Sequence, residues 1–153
     1  MDLDWEKLVK RYVWDATRTP YFTRVARLNR VQARYELFAY VLGIGVLFGV
    51  VTLASLSTTL PHGGSAIVPI YAFTALCAAV LLGLTRHPGA AIYCATAPLA
   101  ALGYFAAFGF HPNLGPPDKI LLVVLMLGWC AYAWRVVAIA RAFPGLPETA
   151  EPK

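Results

Sequence analysis

The sequence predicts an all-α fold: an integral membrane four-helix bundle preceded by a basic amphipathic N-terminal arm. Three observations predict it. Between Arg34 and Lys119 only Glu36, Arg86 and Asp118 are charged, which leaves charge-free stretches at 37–85 and 87–117. A soluble domain cannot leave that much surface uncharged. A spanning helix needs about 20 apolar residues, so the first stretch accommodates two spans and the second accommodates one. The apolar fraction is 59%, against roughly 45–50% in soluble domains. Finally, eight of the 13 Lys and Arg lie in residues 1–34. Positive charge beside a span marks the cytoplasmic side, which also speaks against reading this cluster as a nucleic-acid site.

Residues 1–34 form the arm. Leu3, Leu8, Val9, Tyr12 and Val13 stand near helical spacing, with Trp5 and Trp14 as interfacial aromatics. Thr19-Pro20 interrupts the pattern, because proline disfavours helix at the residue before it. A second short helix is expected after it, with Val25, Leu28 and Val31 on one face. Arg24, Arg27, Arg30 and Arg34 would form a basic stripe lying among lipid headgroups, the expected membrane-surface or partner-docking residues. No continuous apolar signal segment opens the chain, so the first span is expected to act as its own insertion signal.

The spanning unit covers 35–141, with spans at 35–56, 66–84, 90–110 and 120–140. The links 57–65, 85–89 and 111–119 each contain Pro and contain or adjoin Gly, as polar turns should. Residues 142–153 carry Pro144, Pro147 and Pro152 and are expected to form a flexible cytoplasmic tail. An even number of spans puts both termini on one side. That side would hold 12 of the 13 basic residues and the other only Lys119, hence N-in and C-in.

Small residues indicate where helices should approach closely, since lipid offers no hydrophobic drive between them. Gly45 and Gly49 form a GxxxG pair in the first span. Ala97, Ala101 and Gly103 lie in the third, which is expected to be the most buried helix. Pro98 should kink it, with Tyr93, Cys94 or Thr96 helping to satisfy the freed backbone groups.

Chemistry is sparse. The span interiors carry hydroxyls (Thr52, Ser55, Thr74, Tyr93, Thr96, Tyr104, Tyr132) and three cysteines (Cys77, Cys94, Cys130) at no motif spacing. No catalytic residue, metal site or cofactor is assigned. His62 and His111 fall on the same outer side and are weak candidates as metal or haem ligands, lacking a third ligand. Trp129 and Trp134, with Tyr132, form an aromatic patch that could hold a lipid tail, a quinone or a pigment ring, or serve as an interfacial belt. Glu36 reads either as a coupling carboxylate or as a first-turn acid paired with Arg34 or Arg86. Arg135 should snorkel to the cytoplasmic headgroups, and His87 should serve its turn.

The segment RVARLNRVQARYE at 24–36 is similar in content to the Arg/Asn/Glu helix of the four-span membrane-associated eicosanoid and glutathione enzymes. Asn29 and Glu36 stand seven apart and ahead of the first span, however, and membership is not assigned.

By elimination the leading expectation is a non-catalytic accessory or assembly subunit of a larger membrane complex, or a self-associating scaffold. Its partners would be the anionic lipid leaflet and other membrane subunits or a second copy. The excess of Arg over Lys, nine to four, points loosely to a bacterial inner membrane. The alternative is a transporter or channel subunit whose homo-oligomer lines a pore with Thr52, Ser55, Thr74 and Thr96. A third is a lipid-, quinone- or haem-binding redox helper.

Overall fold

The computed structural model describes residues 23–56 and 66–148. The first part of the arm, the 57–65 link with His62, and residues 149–153 lie outside the described residues, as do the expectations attached to them. Among the described residues every regular element is helical. Helix α1 is Arg30–Ser55, α2 Ile67–Thr85, α3 Pro88–Ala95, α4 Ala97–Phe108 and α5 Pro116–Ala142, with 3-10 turns at Val25–Arg27 and Phe143–Gly145. Four helical stretches are long and apolar enough to cross a membrane: α1, α2, α3 together with α4, and α5 with the turn after it.

Local chemistry sets the ends. The Asn29 Oδ1 accepts from the Gln32 N–H at 2.8 Å, and the Gln32 Oε1 accepts from the Asn29 N–H at 3.1 Å. This reciprocal capping box starts α1 at Arg30, five residues before the expected span. The second arm helix is therefore corrected. Val25–Arg27 is a single 3-10 turn, Leu28 is extended, and Arg30 and Arg34 belong to α1. The four arginines do not share one helix.

Helix α2 ends where Arg86 turns left-handed (φ 54) and donates its N–H to the Leu82 carbonyl at 2.9 Å. His87 then opens α3. Its Nδ1 accepts from the Gly89 N–H at 3.1 Å, and Pro88 occupies the first helical position, where its missing N–H is not needed. Helix α5 starts at Pro116, four residues before expected, because two prolines pre-set the first turn and Asp118 Oδ2 accepts from the Gly115 N–H at 3.0 Å.

The third span breaks at Thr96, between α3 and α4, as Pro98 requires. Without an N–H on Pro98 the Cys94 carbonyl, four residues back, loses its helical partner. Tyr40 of α1 supplies the replacement: its Oη donates to that carbonyl at 3.2 Å. The Thr96 Oγ1 donates instead to the Tyr93 carbonyl at 2.7 Å.

Helix α1 lies against α2, α2 against α3, α3 and α4 against α5, and α5 returns to α1. Leu37, Tyr40, Ile44 and Phe48 of α1 recur at helical spacing and face Ala72, Ala75, Ala79 and Leu82 of α2 within one core. Ala90, Ala91 and Cys94 of α3 join them, with Ala133, Val136, Val137, Ile139 and Ala140 of α5. Most of these side chains lie toward the end at which α1 starts and α5 finishes, with Phe48 and Ala72 reaching well past mid-length.

The third span is buried to the same share as the first two, with that burial concentrated in α3, while α4 buries only Ala97 and Pro98 and Ala101 is half-buried. A Cβ added at Gly103 or Gly49 would meet nothing within 4 Å, and one at Gly45 would meet only Leu76 Cδ1 at 3.9 Å. The tight contact lies instead at Gly83, where a Cβ would stand 3.2 Å from Val41 Cγ1. Gly83 continues a small-residue stripe through Ala75 and Ala79.

Candidate functional site

The densest polar chemistry lies at the end that carries the core. Arg135 reaches across from α5 to Glu36 of α1. Its Nε donates to Glu36 Oε1 at 2.5 Å and its Nη2 donates to Oε2 at 3.0 Å. The third branch, Nη1, donates to the Thr23 carbonyl at 2.7 Å. The Glu36 side chain is 2% exposed and that of Arg135 is 19%. A planar guanidinium matches a carboxylate in this two-bond fork, and both carboxylate oxygens are occupied by it.

This overturns three readings at once. Glu36 is the seventh residue of α1 rather than a first-turn acid, and its partner is neither Arg34 nor Arg86. Arg135 turns inward instead of snorkelling. The helical interior therefore does hold a buried ion pair. Taking such a pair out of water is unfavourable for each ion alone, so its strength lies in the fact that neither side can be left without the other.

A second tie closes the same end. The Arg30 backbone N–H donates to the Pro147 carbonyl at 2.8 Å, satisfying one of the orphan donors at the start of α1. Its side chain donates to the Pro144 carbonyl at 2.9 Å and to Glu148 Oε1 at 3.2 Å. Leu28 and Leu146 are buried beside these bonds. The segment before α1 and the segment after α5 are thus latched together, through Arg135–Thr23 on one side and Arg30–Pro147 on the other. Arg30 is engaged in the latch, whereas Arg24, Arg27 and Arg34 are exposed.

The remaining candidates separate. Trp129 lines an apolar groove of about 380 Å³ between α1 and α5, with Tyr40, Gly43, Leu47 and Tyr132. The Tyr40 and Tyr132 rings meet edge-on there, centroids 5.8 Å apart. Trp134 does not join them and is 70% exposed. His111 serves its loop: its Nδ1 accepts from the Asn113 N–H at 3.3 Å, and its carbonyl accepts from the Leu114 N–H at 3.0 Å. His62 lies outside the described residues. Among the described residues no three His, Cys, Asp or Glu converge as a metal ion requires. The cysteines are free and scattered, Cys94 buried and Cys77 exposed.

At mid-length of the helices a set of hydroxyls meets the break before Pro98. Tyr71 Oη and Thr96 Oγ1 are 2.8 Å apart, and Thr74 Oγ1 and Tyr93 Oη are 2.7 Å apart. They link α2 to α3 without any ionisable carboxylate or imidazole among them. Sequence reasoning had singled out Thr74, Tyr93 and Thr96 but not Tyr71. Its signal was an aromatic hydroxyl one helical turn before Thr74.

Comparison of the chain with protein-family models, with curated proteins and with solved structures finds no match.

Proposed function

We propose that the chain is a multi-pass protein of a bacterial cytoplasmic membrane, N-in and C-in. We propose that it serves as a non-catalytic accessory or assembly subunit that docks through its basic cytoplasmic end. One observation carries this reading: the Glu36–Arg135–Thr23 latch. It makes the stretch before α1 a fixed part of the helical body, so Arg24 and Arg27 are held at the surface of that end. A carboxylate whose two oxygens are both taken by an inward arginine suits a structural tie better than a proton-coupling site.

The membrane frame accords with element lengths. Helix α1 has 26 residues and α5 has 27. At 1.5 Å per residue each is about 40 Å long, against about 30 Å of hydrocarbon. The surplus leaves Glu36, about 9 Å from the start of α1, near the boundary between headgroups and tails. Large apolar side chains point outward along every span, Leu53 71% and Ile67 80% exposed. This is the surface expected of helices whose solvent is lipid or another spanning subunit. The Trp129–Tyr132 groove favours the lipid- or quinone-binding helper as a second reading.

Affinity capture of the tagged full chain from native membranes, followed by mass spectrometry, tests the docking reading. Wild type should retain a defined set of membrane subunits. Arg24→Gln/Arg27→Gln should insert normally and lose much of that set. An unchanged set would leave these arginines a topological role only.

A further inference from the structure

The latched end carries one more feature, a groove of about 330 Å³ between α1 and α2. Leu37, Phe38 and Gly83 wall it, and Arg34, Tyr35 and Arg86 flank it. The tight passage of Gly83 against Val41 forms part of this wall. The Arg34 side chain is exposed and makes no hydrogen bond or ion pair among the described residues.

Arg86 is held in place. Its guanidinium stands 5.4 Å over the Phe143 ring, and Nη1 donates to the Leu84 carbonyl at 3.3 Å. A guanidinium has five N–H donors, so most of its fork stays free for a ligand. The backbone at Arg86 is the only non-glycine with positive φ among the described residues. Glycine takes that conformation without strain. An arginine there accepts strain and in exchange brings a cation to the rim of the groove.

Two guanidiniums on an apolar slot specify a ligand with an anionic oxygen cluster at one end and a hydrocarbon chain at the other. Guanidinium forks match phosphate geometry. Exposed Tyr35 and Phe38, three residues apart on one face of α1, offer a strip on which an acyl chain can lie. Free phosphate would leave that strip bare, and an acidic protein segment would not use a slot between two helices. We infer that this groove binds an anionic phospholipid, its phosphate held between Arg34 and Arg86 and its acyl chain along Tyr35 and Phe38. The inference rests on the membrane reading above and sharpens it. Headgroup charge is the discriminator, since phosphatidylcholine carries the same phosphate with a cation that the two arginines repel.

Native mass spectrometry of the purified full chain tests it, with equal amounts of phosphatidylglycerol and phosphatidylcholine of the same acyl chains. Wild type should bind phosphatidylglycerol preferentially. Each basic residue near anionic lipid is worth about fivefold, so Arg34→Gln and Arg86→Gln should each lower the preference about fivefold, and together about thirtyfold. Arg141→Gln removes an exposed charge from the same end and should leave the preference in place. Arg34→Lys/Arg86→Lys should keep part of it, which guards against a Gln variant that misfolds.

No preference in wild type, an unchanged preference in the double Gln variant, or an equal loss in Arg141→Gln overturns the site. So does displacement of the lipid by an equal concentration of inorganic phosphate, or recovery of an acidic protein segment in place of lipid. Alkaline extraction of the native membranes separates the two levels. A chain that washes off refutes the membrane reading itself. A chain that stays, yet shows no headgroup preference, refutes only the site.

Discussion

The two ends of this molecule are both built from apolar helices but differ in charge and in packing. At the end where α1 starts and α5 finishes, core side chains from α1, α2, α3 and α5 meet, and an ion pair and a backbone latch join the flanking segments. At the other end no residue of 116–132 or 99–108 is buried. Helices α3 and α4 make the contrast within one span. Both are rich in Ala, but α3 buries Ala90, Ala91 and Cys94 while α4 buries only its first two residues. Apolar composition does not decide burial when the surroundings are apolar too. What holds the packed end together is close approach at small residues plus polar ties that cannot be satisfied elsewhere.

The largest effect should come from breaking the ion pair. Glu36→Ala or Arg135→Ala leaves one buried charge without its partner and should lower stability by about 3–5 kcal/mol. Glu36→Leu/Arg135→Met removes both charges and should recover most of that loss. Unfolding of the purified chain in detergent measures both. If each single variant matches the double variant, the pair is solvated and the packed end owes its integrity to something else.

Glycines sharpen the comparison. Gly83→Leu must force α1 from α2 against Val41 and should cost about 1–3 kcal/mol. Gly103→Leu and Gly49→Leu enter open space and should stay within about 0.5 kcal/mol. If Gly49→Leu unfolds like wild type but loses captured subunits, its face of α1 is an interface with another chain.

Much of the architecture is legible in the sequence. Four apolar helical stretches, their Pro/Gly links and the break at Pro98 follow from local averages and from proline's missing N–H, which do not depend on the rest of the chain. The early start of α1 was also written there, since Asn29 and Gln32 have the spacing of a capping box. It is passed over because Val25, Leu28 and Val31, recurring every three residues beside the four arginines, suggest a separate surface helix. The ion pair was not legible in the same way. Its members stand 99 residues apart, and neither neighbourhood names the other. Likewise both Gly45–Gly49 and Ala75–Ala79–Gly83 are stripes of small residues, and only the packing of α1 on α2 decides which one meets a neighbour closely.

Tyr40 ties the packed end to the break in the third span. Tyr40→Phe keeps the ring against Tyr132 and removes the hydroxyl that donates to the Cys94 carbonyl and accepts from the Trp129 side chain. That should cost about 1 kcal/mol. The diagnostic is local: hydrogen exchange should rise around Thr96 and not at the start of α1. No rise at all would mean that the ring, rather than the hydroxyl, carries the contact.

The smallest effect should appear at Thr74→Val, on the exposed side of the hydroxyl set. Thr74 Oγ1 has two backbone carbonyls within reach, Ile70 at 3.0 Å and Tyr71 at 2.9 Å, besides Tyr93 Oη. Having one proton to give, it can donate to one carbonyl and accept from Tyr93. The substitution keeps the side chain's shape and takes away that acceptor. Tyr93 is 38% exposed and can turn its hydroxyl toward another acceptor. Side-chain hydrogen bonds between spanning helices average about 0.6 kcal/mol, and this one should fall at or below that figure. A loss as large as that of Tyr40→Phe would mean that Tyr93 has no other acceptor, and that the hydroxyl set braces the broken span as firmly as Tyr40 does.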